Sequence, residues 1–190
     1  MTHAPPIPVD GGLVGLEEIR AAADRIRGRV IRTPHLASPL LSEVSGAAEV
    51  RLKCENLQRA GAFKARGGSN FVARLPDDAV VRGVITYSSG NHAQAVALAA
   101  RLRGIRAVVV MPTTAPKVKV EGARALGAEV VFEGTTSLER KGRAEAIAEA
   151  EGLTVIPPFD HPDIIAGQGT VGTEIVDEWP EVDTVVAPVG

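Results

Sequence analysis

Two polar segments of the sequence combine residue types that could carry chemistry. The first, residues 55–68, leaves a strand-like run, turns through Gly61 and places Lys64 where a helix begins. The helix macrodipole disfavours a cation at that end, so the position suits a lysine that must be neutral for part of a reaction cycle. A lysine with a depressed pKa can form a Schiff base with a carbonyl compound. Taken alone, Lys64 is more typical of a solvated surface lysine, and only the surrounding sequence favours a reactive amine.

The second segment, residues 86–94, follows a strand-like run and opens a helix. It contains, in order, Ser88, Ser89, Gly90, Asn91 and His92. Hydroxyls and free backbone N–H groups at a helix N-terminus form an anion site, and a substrate carboxylate is a plausible occupant. An ordinary Ser/Asn cap with a glycine turn would explain the same residues. His92 alone is typical of a hydrogen-bonded structural histidine.

Residues 167–172 fit the G-x-G-x-x-G pattern of dinucleotide-binding loops, but their context does not. That fingerprint follows a long buried strand, whereas only three apolar residues precede Gly167. We therefore exclude nicotinamide and flavin dinucleotides. The four histidines are far apart in the sequence and predict no metal site, and the single cysteine excludes an intramolecular disulfide.

The elements that position these segments follow a regular alternation. Short β-rich runs alternate with helical stretches, which predicts right-handed βαβ units on a parallel sheet covered on both faces. The predicted strands lie at 50–54, 84–87, 107–111, 129–132, 153–156 and 183–187. The predicted helices lie at 16–27, 63–75, 91–103, 116–126, 137–151 and 169–179, with a short helix from Ser38-Pro39 to near Gly46.

Composition excludes several classes of partner. Net charge is −2 and aromatic residues make up 3% of the chain, so neither a basic surface nor a stacking platform for nucleic acid is expected. No stretch approaches the roughly 20 apolar residues that a membrane span needs. We expect no nucleic-acid or membrane partner and a cytoplasmic location.

Several blocks in register resemble a known family. They are residues 55–58, 61–64, 66–67, 88–92, Gln94, 111–112, 115–117 and 167–170. In this order and spacing they are similar to the N-terminal portion of the serine/threonine dehydratase and serine racemase family. These enzymes depend on pyridoxal 5′-phosphate (PLP) and have fold type II, the fold of the tryptophan synthase beta subunit.

The resemblance implies roles for the cofactor-binding residues. Lys64 would form the Schiff base with PLP and later move the substrate α-proton. Phe63 would help to shape the cofactor pocket, and Asn91 would hydrogen-bond the PLP 3′-hydroxyl. Gly190 would be the first glycine of the loop that binds the cofactor phosphate.

The resemblance also implies a substrate site in the second segment. Ser88, Ser89, Gly90 and His92 would bind the carboxylate of a small amino acid. Many threonine dehydratases carry alanine at the position of Ser89, whereas racemase-like members carry a serine that works on the cofactor face opposite the lysine. Ser89 is therefore a second expected catalytic residue.

The family's fold implies two α/β lobes with PLP between them. A small parallel-sheet lobe, residues 83–158, would be inserted in a larger lobe, residues 15–82 and 159–190, after a flexible tail, residues 1–14. Because the chain stops at Gly190, after the run at 183–187, we expect it to be truncated at the C-terminus. The full-length protein is expected to form a homo-oligomer.

The expected activity is dehydration of L-threonine or L-serine to 2-oxobutyrate or pyruvate plus ammonia, with serine racemisation as a further activity. One alternative is another PLP enzyme of the same fold, of threonine synthase or cysteine synthase type. The sequence of residues 63–66 and of Asn91-His92 argues against cysteine synthase. The other alternative is an inactive truncated remnant.

Overall fold

The structure, a computed structural model, describes residues 13–188. Nearly all of the expected tail, residues 1–14, and the expected phosphate-loop residue Gly190 lie outside the described residues. Within them the helices are α1 (Leu16–Ile26), α2 (Pro39–Ser45), α3 (Lys64–Arg74), α4 (Asp77–Arg82), α5 (Asn91–Arg103), α6 (Lys117–Ala125), α7 (Ser137–Glu151) and α8 (Pro162–Glu178). The strands are β1 (His35–Ala37), β2 (Arg51–Lys53), β3 (Val84–Tyr87), β4 (Ala107–Met111), β5 (Glu129–Phe132) and β6 (Thr154–Val155).

The centre of the fold is a four-stranded parallel sheet in the order β5-β4-β3-β6. Successive strand residues point to opposite faces, so each face has its own apolar core. One core joins Val84 and Val109 to helices α3, α5 and α6. The other joins Ile85 and Val108 to helix α7. The parallel sheet covered on both faces, which the alternation predicted, is confirmed.

The bounds of β3, β4, β5, α5 and α7 coincide with the predicted ones. Their ends are fixed by local signals that the sequence displays. Gly104 ends α5 in the left-handed conformation, with φ of 74°. Thr136 begins α7 with a capping box, in which its hydroxyl accepts from Glu139 N while the Glu139 carboxylate accepts from Thr136 N.

The prediction for α8 was wrong at its start, because the helix begins at Pro162 and not at Gly169. His161 caps it: the ring Nδ1 accepts from Asp163 N at 3.1 Å, and Pro162 follows at the first helical position. Gly167 and Gly169, which form part of the dinucleotide-loop pattern in the sequence, lie inside the helix. Their missing side chains permit a close approach to neighbouring helices.

Glycines set the distance between α3 and its two neighbours. A Cβ added at Gly167 of α8 would lie 2.6 Å from Gly67 Cα and 2.8 Å from Arg66 O, both in α3. On the other side, a Cβ added at Gly68 would lie 3.2 Å from Ala95 O in α5. The helix that begins with Lys64 is therefore packed backbone against backbone between α5 and α8.

We predict that Gly167→Ala destabilises the chain by about 1–3 kcal/mol or more, because the new methyl group meets main-chain atoms that cannot rotate away. Gly172→Ala in the same helix is the matched control, since a Cβ there meets nothing within 4 Å. It should be neutral or stabilising by up to about 1 kcal/mol, the usual helix preference for alanine. Urea unfolding of both variants measures the difference, and equal midpoints would contradict the packing described here.

Two strands differ from the prediction: one was missed and one predicted strand is not formed. Strand β1 was not predicted; it has three residues and pairs antiparallel with β2, His35 opposite Lys53. The predicted strand at 183–187 is not formed: within residues 13–188 no strand pairs with it, and Val185 and Val186 are 59% and 90% exposed. A strand needs a hydrogen-bonded neighbour, and apolar alternation alone does not supply one. Among residues 13–188, no helix has the length and apolar character to cross a bilayer.

Candidate active site

The candidate site lies at the carboxyl edge of the parallel sheet, where strands β3 and β6 end side by side. Strand β3 leads into the loop of residues 88–90 and then into α5. Strand β6 leads into Ile156, Pro157 and Pro158. Ligands of open α/β sheets bind beyond the carboxyl ends of strands. The second segment, residues 86–94, therefore lies at the edge of the sheet where a site is expected.

Lys64 is the first residue of α3 and reaches this edge. Its Nζ donates a hydrogen bond to Pro158 O at 3.0 Å. The Phe63 ring, 40% exposed, has its centroid 5.3 Å from the same Nζ. Burial lowers the pKa of Lys64, and within residues 13–188 no carboxylate contributes to that shift. The amine is thus half-buried, held by a neutral acceptor, and shifted toward its nucleophilic form.

The loop of residues 88–90 presents the N-terminus of α5. Ser88 N donates to Val110 O on the neighbouring strand, and Gly90 N donates to Ser88 Oγ at 3.2 Å. Gly90 is the cap residue of α5 and provides no side-chain hydrogen bond, and a Cβ built on it meets nothing within 4 Å. Ser89 is half-buried in the same loop. The positive end of α5 therefore faces open space that an anion can enter.

His92, in the first turn of α5, is 3% exposed. Its Nε2 lies 3.3 Å from Ile156 O. Because a carbonyl only accepts, Nε2 carries the hydrogen, and Nδ1 is an acceptor with no partner among the described residues. Burial, together with the nearby charge of Lys64, lowers the pKa of His92 to about 4. The structure therefore brings a neutral His92 close to Lys64.

Asn91 is exposed, and its Oδ1 accepts from Lys119 Nζ at 3.2 Å. Lys119 was not predicted, although it lies two residues beyond Lys117, the last residue of one family-like block. Thr86, whose Oγ1 donates to Ile156 O at 2.7 Å, was not predicted either. No local signal could have identified that bond, since its partners are 70 residues apart.

Arg66 anchors the first turn of α3 and is fully buried. Its guanidinium makes paired hydrogen bonds to the carboxylates of Glu55, at 2.9 and 2.7 Å, and Glu174, at 2.6 and 2.9 Å. Lys53 Nζ lies 2.8 Å from Glu174 and 3.5 Å from Glu178, so each of the two cations contacts two carboxylates. Burial alone would lower the pKa of Arg66, but the bonds to both glutamates outweigh it and raise that pKa. The cluster joins the segment before Lys64 to α8.

These residues fit a cofactor that attaches to an amine. The Lys64 amine has no ion-pair partner among the described residues, its pKa is lowered by burial, and its charge contributes to the lowered pKa of His92. Asn91 offers a side-chain amide at the mouth of the same loop. The arrangement can hold a carbonyl compound at Lys64 and an anionic group at the start of α5.

Comparisons with known proteins agree with this arrangement. A family model described as pyridoxal-phosphate-dependent enzyme matches residues 26–190. L-threonine ammonia-lyase of Thermotoga maritima is 46% identical over 178 residues, covering 94% of this chain and 44% of that enzyme. L-threo-3-hydroxyaspartate ammonia-lyase of a Pseudomonas species is 43% identical, covering 94% and 56%.

Among solved structures, maize serine racemase superimposes with a TM-score of 0.87 at 41% identity, covering 90% of this chain and 51% of that one. The chain spans about half the length of the curated relatives it matches. These similarities confirm both the expected resemblance and the expected α/β fold class.

Proposed function

The chain belongs to the pyridoxal-phosphate-dependent enzyme family, and we propose that the full-length protein is an ammonia-lyase acting on a small β-hydroxy amino acid. Its substrates would be L-threonine and L-serine, and its products 2-oxobutyrate or pyruvate plus ammonia. The observation that supports this most directly is the half-buried Lys64 amine near the carboxyl edge of β3 and β6, close to His92.

PLP, when bound, withdraws the electron pair that remains at the substrate Cα after its proton is removed. Lys64 Nζ would carry the cofactor and later take that proton, a task for which a neutral amine is suited. The N-terminus of α5, with Ser88, Gly90 and His92, would bind the substrate carboxylate. Asn91 and Phe63 would orient the cofactor ring. Holding the carboxylate fixes which Cα bond faces Lys64, and such positioning contributes up to about 7–11 kcal/mol.

Ser89 supports serine racemisation as a second activity. Racemisation needs a proton donor on the face of Cα opposite the lysine, and a hydroxyl can serve where the methyl group of alanine cannot. Ser89 lies half-buried in the loop between β3 and α5. It is next to the N-terminus of α5, which is proposed to bind the carboxylate. We therefore propose Ser89 Oγ as that donor.

The test is to supply the full-length protein with L-threonine, L-serine and L-threo-3-hydroxyaspartate and to measure keto-acid release. We expect keto acid from threonine or serine, and D-serine from L-serine if Ser89 acts as proposed. Ser89→Ala should remove D-serine formation while keto-acid release persists. Sulfide-dependent cysteine formation without keto acid would instead assign the protein to the cysteine synthase type, and no turnover of any of these substrates would contradict the proposal.

Three further expectations from the sequence stay predictions. They are the lobe boundaries at 15–82, 83–158 and 159–190, the homo-oligomer and the cytoplasmic location. Gel filtration of the full-length protein would test the second of these.

A further inference from the structure

Pro158 O, which accepts from the Lys64 amine, belongs to a two-proline segment that cannot donate main-chain hydrogen bonds. Pro157 and Pro158 have no N–H groups, so neither can donate a main-chain hydrogen bond to the sheet edge or to α5. What secures the segment is Ile156, the residue before them. Ile156 N donates to Ile85 O at 2.8 Å, which continues the pairing of β6 with β3.

The carbonyl of Ile156 receives two side-chain donors from the elements that carry the site. Thr86 Oγ1, at the end of β3, donates to it at 2.7 Å, and His92 Nε2, at the start of α5, lies 3.3 Å away. Thr86 is 0% exposed, as are Val84 and Ile85 before it. A buried hydroxyl is costly unless it is hydrogen-bonded, and Ile156 O satisfies it.

The two prolines transmit that constraint along the chain. Each proline ring fixes its own φ near −65°, and each restricts the residue before it to extended conformations. With the carbonyl of Ile156 held in direction, the path of the chain to the carbonyl carbon of Pro158 is restricted, and the ψ angle of Pro158 is the remaining main-chain rotation that turns its oxygen. Pro158 O is the atom on which the Lys64 amine rests.

We propose that Thr86 is a positioning residue for Lys64: with His92 it fixes Ile156 O, and through Pro157 and Pro158 it sets the carbonyl that orients the lysine amine. Thr86 itself touches neither the amine nor the proposed substrate site. The role deepens the function proposed above and presupposes that Lys64 is the reacting amine. Pro158 O accepts a hydrogen bond from the Lys64 amine whenever that amine is not covalently bonded to a carbonyl compound.

The pKa of Lys64 reports on this contact. A carbonyl that accepts from the amine favours the ammonium form, whereas burial disfavours it. His92 is the titratable side chain that the charge of Lys64 affects. That charge helps to lower the pKa of His92, which is neutral above about pH 4. Above that pH, displacing Pro158 O leaves burial unopposed, so the pKa of Lys64 should fall.

The experiment measures the pKa of Lys64 in the full-length protein freed of cofactor, by competitive acetylation over a pH series with mass spectrometry. Exposed Lys141 in α7 is the internal reference. Thr86→Val removes the hydroxyl at nearly constant volume, and Thr86→Ser retains it. We expect Thr86→Val to lower the pKa of Lys64 by roughly half a unit to one unit, the equivalent of one hydrogen bond. Thr86→Ser should match the wild type.

Three outcomes would overturn the role of Thr86: an unchanged pKa, an equal shift in the serine variant, or a rise, which would mean general loosening around the amine. If Thr86→Val does not fold, Pro158→Ala keeps the carbonyl but releases its φ, and the same downward shift is expected. Failure here is separable from failure of the proposed function. A wild-type protein that attaches PLP while Thr86→Val leaves the Lys64 pKa unchanged refutes the positioning role alone, whereas a wild-type Lys64 that never attaches PLP refutes the function.

Discussion

Replacing Lys64 by alanine in the full-length protein is expected to abolish covalent attachment of PLP and to reduce keto-acid release at least ~10²–10⁴-fold, the usual loss for a positioned proton-transfer group. The physical reason is that the proposed attachment needs an amine that is neutral at physiological pH. Burial lowers the pKa of Lys64, and its hydrogen-bond partner is an uncharged carbonyl.

The measurement is borohydride reduction of the PLP-loaded protein followed by peptide mass spectrometry, which marks the lysine that carries the cofactor. Lys141→Ala is the control, because Lys141 lies on the solvent side of α7, 3.7 Å from Glu145. It should retain both the label on Lys64 and the activity. A Lys64→Ala protein that still carries reducible PLP on another lysine with unchanged turnover would show that the site is elsewhere.

Arg66→Met is expected to destabilise the chain by about 3–5 kcal/mol, the cost of removing one partner from a buried ionic cluster. The substitution keeps most of the side-chain length but leaves two partly buried carboxylates, on Glu55 and Glu174, without their shared cation. Hydrogen bonds to Arg66 and Lys53 hold the pKa of Glu174 below its usual value against the effect of burial. Without Arg66 we expect that pKa to rise.

Urea unfolding monitored by circular dichroism measures this loss. Arg27→Met is the matched control, because Arg27 pairs with Asp24 on the surface and both side chains are more than 70% exposed. Exposed pairs contribute about 0–1 kcal/mol. Equal losses in the two variants would mean that the cluster around Arg66 does not stabilise the start of α3.

The elements that the sequence predicted well are those that neighbouring residues specify. Strands β3 to β5 are short runs rich in β-branched residues, and a glycine in the left-handed conformation ends α5 and α7. Strand β1 was not predicted because its three residues, His35–Ala37, include none of the β-branched residues, Tyr, Phe or Trp that favour strands. The start of α8 was predicted too late, because the glycines at 167 and 169 are poor helix formers and their packing partners in other helices cannot be seen in the sequence.

The same distinction applies to the candidate site: residue types and their order were predictable, and contacts between distant residues were not. Family-like blocks identified Lys64 and the segment from Ser88 to His92, because side-chain type and order are properties of the sequence. The acceptor of the Lys64 amine is a main-chain oxygen of Pro158, 94 residues away, and every residue type has such an oxygen. Arg66 was noticed only as part of a block, since its partner Glu174 lies 108 residues further on.

The close approach of Gly68 to Ala95 affects how precisely Lys64 is positioned relative to α5. Side chains at a helix interface change rotamer with thermal motion, and the spacing of the helices drifts with them. Here Gly68 lacks a side chain and faces the peptide carbonyl of Ala95, so the separation of α3 and α5 is set by atoms that have no rotamers. The separation between the main chain at Lys64 and the first turn of α5 is thereby set by main-chain contacts.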